Sequence, residues 1–233
     1  MSSLDSAASG PTAGRGLPRL FEVGVSCLGL LVLAPVLLLL ALLVRVGSRG
    51  PALFKQARVG QNGRTFELVK FRSMRIGERG AQITTGGDSR VTGVGRWLRK
   101  FKLDELPQLW NVIRGEMGLV GPRPEVPAYV DLDDPAWQRV LSVRPGLTDP
   151  VTVELRNEEE LLAGAEDPGA FYQQILQPYK LQCYERYVEE RTARSDLNIL
   201  GQTMMAVLRP AQTPPPSIEE LRARVEQSHG TEV

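Results

Sequence analysis

A single histidine and two cysteines are all that 233 residues offer to metal-imidazole or thiol chemistry. His229 lies in a polar C-terminal stretch, so a His-ligated zinc centre and a Ser-His-Asp mechanism both lack their central residue. Cys27 falls in an apolar run and Cys183 far along the chain. That spacing gives no disulfide framework and suits a reducing, cytoplasmic side. Charge is also missing over a long stretch: no ionisable side chain other than Cys27 occurs from Val23 to Val44.

Those twenty-two residues would make a straight helix of ~33 Å, enough to cross a hydrocarbon core of roughly 30 Å. Pro35 complicates a straight span, because it lacks an N–H and its ring clashes with the carbonyl one turn back. The residues alone leave two arrangements open. A spanning helix must translocate Arg15 and Arg19, whereas a re-entrant hairpin keeps them on the same side as Arg45, Arg49, Lys55 and Arg58. A cleaved signal peptide fits less well, since the run exceeds the usual apolar region of about 7 to 15 residues. The Ser-, Ala- and Gly-rich start, residues 1–17 with Leu17 at its end, reads as a disordered tail.

The net charge of +1 conceals an asymmetry. From Arg45 to Lys102 there are 14 basic residues against Glu67, Glu78 and Asp88; from Val153 to Asp196 there are 10 acidic against 5 basic. The first block is a surface for anionic lipid, phosphate or a nucleotide. Residues 49–208 have the length of one domain with a real core. Within it, Pro51 to Gln56 and Thr65 to Phe71 read as a hairpin around Gly60 to Gly63, and Arg75 to Ser89 as a Gly-rich mobile loop. Val94, Trp97, Leu98 and Phe101 have helical spacing with basic residues between them, suited to a headgroup-level helix or to a core-facing stripe.

Leu103 to Arg114 reads as a helix with Asp104 as its N-cap, Pro107 in its first turn and Leu106, Leu109, Trp110 and Ile113 as its apolar face. Asp104 and Glu105 then stand side by side at a helix start. Two readings stay open: capping worth ~1 kcal/mol, or a carboxylate that attacks phosphorus or holds Mg²⁺ while its neighbour assists. Helix-start placement predicts a lowered Asp104 pKa. Arg123, with proline on both sides, is held by a restricted backbone that aims its guanidinium, the side chain best suited to phosphate. Arg144 to Pro150 reads as another turn, Glu158 to Glu160 as a solvated face, and Pro168 to Leu208 as largely helical with a Tyr-rich face. Residues 209–233 read as a weakly ordered tail.

Three segments in fixed order carry a family likeness: Lys70-Phe71-Arg72-Ser73-Met74, Asp104-Glu105-Leu106-Pro107-Gln108-Leu109-Trp110-Asn111-Val112, and Gly121-Pro122-Arg123-Pro124-Glu125. Following an N-terminal apolar segment, they resemble the bacterial sugar transferases, the monotopic phosphoglycosyl transferases in their small, catalytic-domain-only form. The likeness covers about Leu20 to Thr203. It implies an α+β, mainly helical fold: a re-entrant membrane helix-break-helix over residues 18–48, broken near Pro35, with a small β-hairpin and amphipathic interfacial helices around the active site. The family breaks its membrane helix at a Ser-Pro pair. Here that pair is Ala34-Pro35, which removes a hydroxyl that could satisfy a freed carbonyl.

The resemblance implies transfer of a sugar-1-phosphate from a UDP-sugar to polyprenyl phosphate, with release of UMP, at the cytoplasmic face of the bacterial inner membrane. Asp104 would form a phosphosugar-aspartyl intermediate, Glu105 would bind Mg²⁺ or deprotonate the acceptor, and Lys70, Arg72, Arg99 and Arg123 would bind substrate phosphate. Membrane lipids are the further expected partner, and the sequence leaves open whether a second copy of the chain is another. Two other classes compete. A nucleic-acid binder would use the basic block but leaves the apolar run and the carboxylate pair unexplained. An inactive membrane scaffold would not need Asp104, Glu105 and Arg123 intact.

Overall fold

The structure, a computed structural model, describes residues 15–76, 85–152, 154–155, 158–208 and 216–229. Residues 1–14 of the expected tail, 77–84 of the expected mobile loop, and 209–215 and 230–233 of the C-terminal stretch lie outside the described residues.

The chain opens on α1 (Arg19–Gly47), one helix of 29 residues with Pro35 inside it. The break expected near Pro35 is thus not an interruption of the helix. A proline forfeits one hydrogen bond and can be absorbed by a distorted turn when the residues on both sides are strong helix formers, as the leucines here are. Its 18-residue apolar window has a mean hydropathy of 3.0 and is only 11% buried. Leu31, Val32, Leu38 and Leu39 stand exposed around the proline.

Both ends of α1 are fastened, and the burial pattern shows where. At its start Glu22 and Ser26 are buried; near its end Leu40 and Val44 are. Leu40 and Val44 pack with Phe71 and Leu98. The Arg72 guanidinium donates through Nη2 to the Ser48 carbonyl at 2.7 Å, the Ser48 hydroxyl at 3.0 Å and the Val44 carbonyl at 3.3 Å, satisfying acceptors that the end of a helix leaves free.

β1 (Leu53–Val59) and β2 (Thr65–Phe71) form the expected antiparallel hairpin, with Leu53 opposite Phe71 and Val59 opposite Thr65. Its turn is tight because Asn62 and Gly63 both take positive φ, 57° and 73°. β2 buries Leu68, Val69 and Phe71. After it come α2 (Gly93–Lys100) and a 3₁₀ segment, Leu103–Gln108, that runs into α3 (Leu109–Arg114). Thr92 caps α2 by accepting from Gly95 N–H at 2.9 Å. Gly95 also lies so close to the Ser73 carbonyl that no Cβ would fit, which seats α2 on the end of β2. Leu98 points into the core, whereas Trp97 is half exposed and stacks obliquely on Phe101 at 5.6 Å between centroids.

The stretches read as Pro/Gly turns contain a second sheet. β3 (Gly118–Val120) pairs in parallel with β4 (Gly146–Thr148), Gly118 opposite Gly146 and Val120 opposite Thr148. Between them lies α4 (Pro135–Val140), capped by Asp134. Strands of three residues show no period, so no sequence pattern could announce them.

The remaining elements are α5 (Glu158–Gly164), α6 (Pro168–Phe171), a π-turn over Tyr172–Leu176, α7 (Gln177–Glu190), α8 (Ala193–Leu208) and α9 (Ile218–His229). The Tyr-rich face of α7 belongs to the core, where Tyr179 and Tyr184 join Trp137, Leu162 and Leu176. α9 replaces part of the expected extended tail, because Leu221 is fully buried in that same cluster. α8 leaves Leu197, Met204 and Met205 exposed.

Candidate active site

Lys102 adopts a left-handed conformation, φ 55°, that turns the chain out of α2 and into the 3₁₀ segment. Asp104 therefore sits inside the first turn, not at the N-cap, and α3 begins five residues later. The segment packs against β2 and places two adjacent carboxylates in different surroundings.

Glu105 is paired. Arg123 reaches it as a fork, Nη2 to Oε1 at 2.6 Å and Nη1 to Oε2 at 3.3 Å. Burial opposes the Glu105 charge, but Arg123 and Lys102 outweigh it and hold its carboxyl well below the usual range. The same contact pushes Arg123 further above its ordinary value. Two of the five guanidinium donors are used this way, and the Arg123 side chain keeps 38% of its surface exposed.

Asp104 is not paired. It is 7% exposed, and its Oδ1 is buried with no hydrogen-bond partner among the described residues. Burial raises its pKa, the neighbouring Glu105 charge raises it further, and Lys70, Arg99 and Lys102 pull the other way without prevailing. The lowered value expected for a helix start is thus corrected. Desolvation exceeds what the end of a single 3₁₀ turn offers. Lys70, the last but one residue of β2, is the mirror case: burial and Arg58 pull its ammonium down to about 8, against the attraction of Asp104. Its Nζ lies 5.6 Å from the Phe54 ring centre and makes no ion pair among the described residues.

Of the four expected phosphate ligands, Lys70 and Arg123 are brought to the carboxylate pair. Arg99 acts on Asp104 through its charge. Its hydrogen bonds go instead to Glu159 of α5, from Nε at 3.1 Å and from Nη2. Arg72 is 2% exposed and its Nη2 is spent on the end of α1, while Nε and Nη1 are buried without a partner among the described residues. Pro35 lies in the exposed middle of α1.

A second set of residues surrounds these. Arg58 donates to the Pro124 carbonyl at 2.9 Å and lies 3.7 Å from Glu125, which accepts from the Tyr172 hydroxyl at 2.7 Å. Lys180 packs over the Tyr172 ring at 5.3 Å and pairs with Glu158 at 2.8 Å. The acidic run is only partly the solvated face expected: Glu159 reaches Arg99 of the basic block and Glu158 pairs with Lys180 of α7, while Glu160 stays exposed. The usable signal was the opposite charge of the two halves of the chain.

The family profile described as bacterial sugar transferase matches residues 14–210. An undecaprenyl-phosphate glucose phosphotransferase of Komagataeibacter xylinus is 53% identical over 112 residues, 47% of this chain and 21% of that protein. A UDP-glucose:undecaprenyl-phosphate glucose-1-phosphate transferase of Caulobacter vibrioides is 37% identical over 195 residues, 82% of this chain and 69% of its own length. A UDP-N-acetylgalactosamine-undecaprenyl-phosphate N-acetylgalactosaminephosphotransferase of Aeromonas hydrophila is 40% identical over 137 residues, 57% of this chain and 32% of that protein.

Because Asp104 is ionised at a cost, replacing it by the isosteric neutral Asn should raise Tm at neutral pH. The sign follows from the raised pKa. The cost is absent below the ordinary aspartate value of 3.8, grows as pH rises above it, and is complete above the raised value in the folded state. Thermal melts of wild type and Asp104→Asn in neutral detergent should therefore diverge with rising pH; a less stable Asp104→Asn at neutral pH refutes the assignment.

Proposed function

The chain belongs to the bacterial sugar transferase family, and from that premise we propose that it moves a sugar-1-phosphate from a UDP-sugar to polyprenyl phosphate through a covalent intermediate on Asp104. The observation that carries this reading is the asymmetry of the carboxylate pair: Glu105 is held by Arg123, while Asp104 Oδ1 is buried without a partner. A carboxylate oxygen stripped of hydrogen bonds retains the lone pair needed to attack phosphorus. The relatives' names share the undecaprenyl phosphate and differ in the sugar, glucose in two and N-acetylgalactosamine in the third. Phosphate recognition is thus the part that this chain's common residues would supply.

In the first step Asp104 Oδ1 bonds to the phosphorus that carries the sugar, the bond from that phosphorus to the UMP oxygen breaks, and UMP leaves with the electron pair. In the second, an oxygen of polyprenyl phosphate attacks the same phosphorus and the Asp104 oxygen leaves as carboxylate. Lys70 and Arg123 offset the repulsion between an anionic nucleophile and an anionic diphosphate and stabilise charge on the leaving group. Mg²⁺ is the cofactor of this proposal. Among the described residues no three His, Cys, Asp or Glu side chains are grouped to hold a metal. Mg²⁺ characteristically takes one or two carboxylates and completes its shell with substrate phosphates and water, and the Asp104 oxygen not used in the attack would fit that role. It would neutralise diphosphate charge.

The same reading puts α1 into one leaflet as a re-entrant segment, bent at Pro35 without interruption of the helix, and the catalytic body at the cytoplasmic face of the inner membrane. Its support is that both ends of α1 attach to one unit. Arg19 donates to the carbonyls of Val112, Ile113 and Met117 at the end of α3, the last two at 3.3 Å, while Arg72 at the end of β2 holds Val44 and Ser48. Asn111 joins those two elements, accepting from Val69 N–H at 3.0 Å and donating to the Glu67 carbonyl at 2.7 Å. A helix spanning the bilayer would carry these ends to opposite faces. The exposed Trp97 and the apolar residues of α8 would then lie at headgroup level.

Incubating the purified protein with a panel of UDP-sugars and Mg²⁺ but no lipid acceptor should release UMP and leave a phosphosugar mass on Asp104. Asp104→Asn should lose the adduct and reduce turnover on the order of 10⁴-fold while still associating with membranes. Absence of UMP and adduct with every donor, in rapid-quench samples, overturns the mechanism.

Turnover should also show two limbs in pH. Ionised Asp104 is the active form, so the rate rises with pH through a value above 3.8. Protonated Lys70 is the useful form, so the rate falls as pH passes about 8. Lys70→Arg should remove the alkaline limb, because guanidinium stays charged there; its persistence would assign that limb to another group.

A tag placed before Ser2 should be labelled only from the cytoplasmic side of intact cells. Labelling from outside would require a spanning α1.

A further inference from the structure

A cleft of about 340 Å³ opens at the root of α1, and the active-site residues take no part in its lining. Its walls carry three guanidinium groups, Arg15, Arg144 and Arg191, with Glu22, Leu17 and Gln61 between them. We propose that this cleft seats the phosphate of an anionic phospholipid, a site separate from the one that handles substrate; the proposal rests on the reading of α1 as membrane-embedded.

The charge balance favours an anion. Glu22 is 3% exposed and already bonded, its Oε1 accepting from Leu119 N–H at 3.0 Å and its Oε2 lying 3.4 Å from Arg19 and 3.7 Å from Arg144. Asp196, behind the cleft, is likewise committed to Leu17 N–H at 2.9 Å, the Tyr187 hydroxyl at 2.8 Å and Arg191 Nη2 at 3.3 Å. Four guanidinium groups, counting Arg19, therefore share two acids whose oxygens are taken by other donors as well. Arg15 has no acidic partner among the described residues, and Arg191 keeps a buried Nε with no hydrogen bond. Planar guanidinium groups that converge with donors to spare match a phosphate oxygen set.

Position selects a lipid over a free ion. The cleft lies where α1 begins, and the outward residues that follow, Leu20, Phe21, Val25 and Leu28, are exposed and apolar, Leu20 at 88%. α8 begins two residues after Arg191 and exposes Leu197. Apolar surface from two elements thus starts at the rim of a basic cleft. That is the order of chemistry along a phospholipid, with acyl chains beside apolar surface and phosphate among cations at the interface. The volume also exceeds what one phosphate ion fills and falls in the range of small-molecule sites.

The full chain in neutral maltoside micelles, titrated with dihexanoyl phosphatidylglycerol, should show a saturable rise in Tm that dihexanoyl phosphatidylcholine and inorganic phosphate do not produce at equal concentration. Arg15→Gln and Arg144→Gln should each weaken the apparent affinity about fivefold. Arg222→Gln, an equal charge loss on the exposed face of α9, should leave it unchanged, as should Asp104→Asn. Arg15 is exposed and has no acidic partner among the described residues, so its variant keeps the test valid even where Arg144→Gln fails to fold. An equal response to phosphatidylcholine, or unchanged affinity in the folded cleft variants, overturns the site; an equal response to inorganic phosphate overturns the lipid assignment. Loss of the phosphatidylglycerol response with UMP release intact refutes the cleft alone, and the converse refutes the transferase reading alone.

Discussion

Asn111, fully buried between β2 and α3, is the joint on which the molecule turns. Its side chain bonds the backbone of Val69 and Glu67 and also reaches the Glu116 carboxylate at 2.7 Å. A buried amide with its donors and acceptor used fixes one arrangement of the elements it joins, since any slip would leave polar atoms unpaired in a dry setting. β2 and α3 are the two elements to which α1 is tied, by Arg72 at one end and Arg19 at the other. The 3₁₀ segment with Asp104 and Glu105 leads directly into α3 and packs on β2. The amide that registers strand against helix therefore also sets the carboxylates relative to the membrane helix.

The carboxylate pair shows how neighbours in sequence acquire opposite properties. Glu105 faces a fork of donors and is held as an anion. Asp104 faces burial and its neighbour's charge, with cations near but not bonded to it. A protein selected only for stability would pair or neutralise such a group, because an unsatisfied buried carboxylate is a cost. Retaining it beside a cluster of guanidinium and ammonium groups is the pattern of a site where stability yields to reactivity. An inactive scaffold has no use for that expense.

Legibility followed the length and locality of each signal. The apolar run, the β1–β2 hairpin and the helical second half have patterns many residues long, and each was visible. The carboxylates and Arg123 stand within recognisable segments, and the structure brings all three together. What could not be read is what long-range packing decides. β3 and β4 are too short to have a period, and α9 looks like a polar tail until Leu221 is seen in the core. Side-chain partners could not be read for the same reason: Arg99 and Arg72 bear the right chemistry for phosphate, and here their bonds go to Glu159 and to the end of α1. The direction of the Asp104 shift depends on burial, which no local pattern encodes.

The near-neutral total charge is drawn into local pairs by this packing, and the pairing bears on which cations can serve a substrate. Glu159 of the acidic stretch takes Arg99 of the basic block, while Glu158 takes Lys180 within the acidic stretch and Glu125 lies against Arg58. Each pairing removes a cation from the set available to a diphosphate and cancels most of its long-range field. Lys70 is left without an ion pair among the described residues, and Arg123 is left with donors beyond those bound by Glu105. These two flank Asp104 on β2 and on the segment after β3. An anion drawn in by the remaining basic charge can therefore meet both of them beside the Asp104 oxygen that has no hydrogen-bond partner among the described residues. Attraction is spread over the surface, but Lys70 and Arg123 stand beside the carboxylate pair that holds the proposed nucleophile.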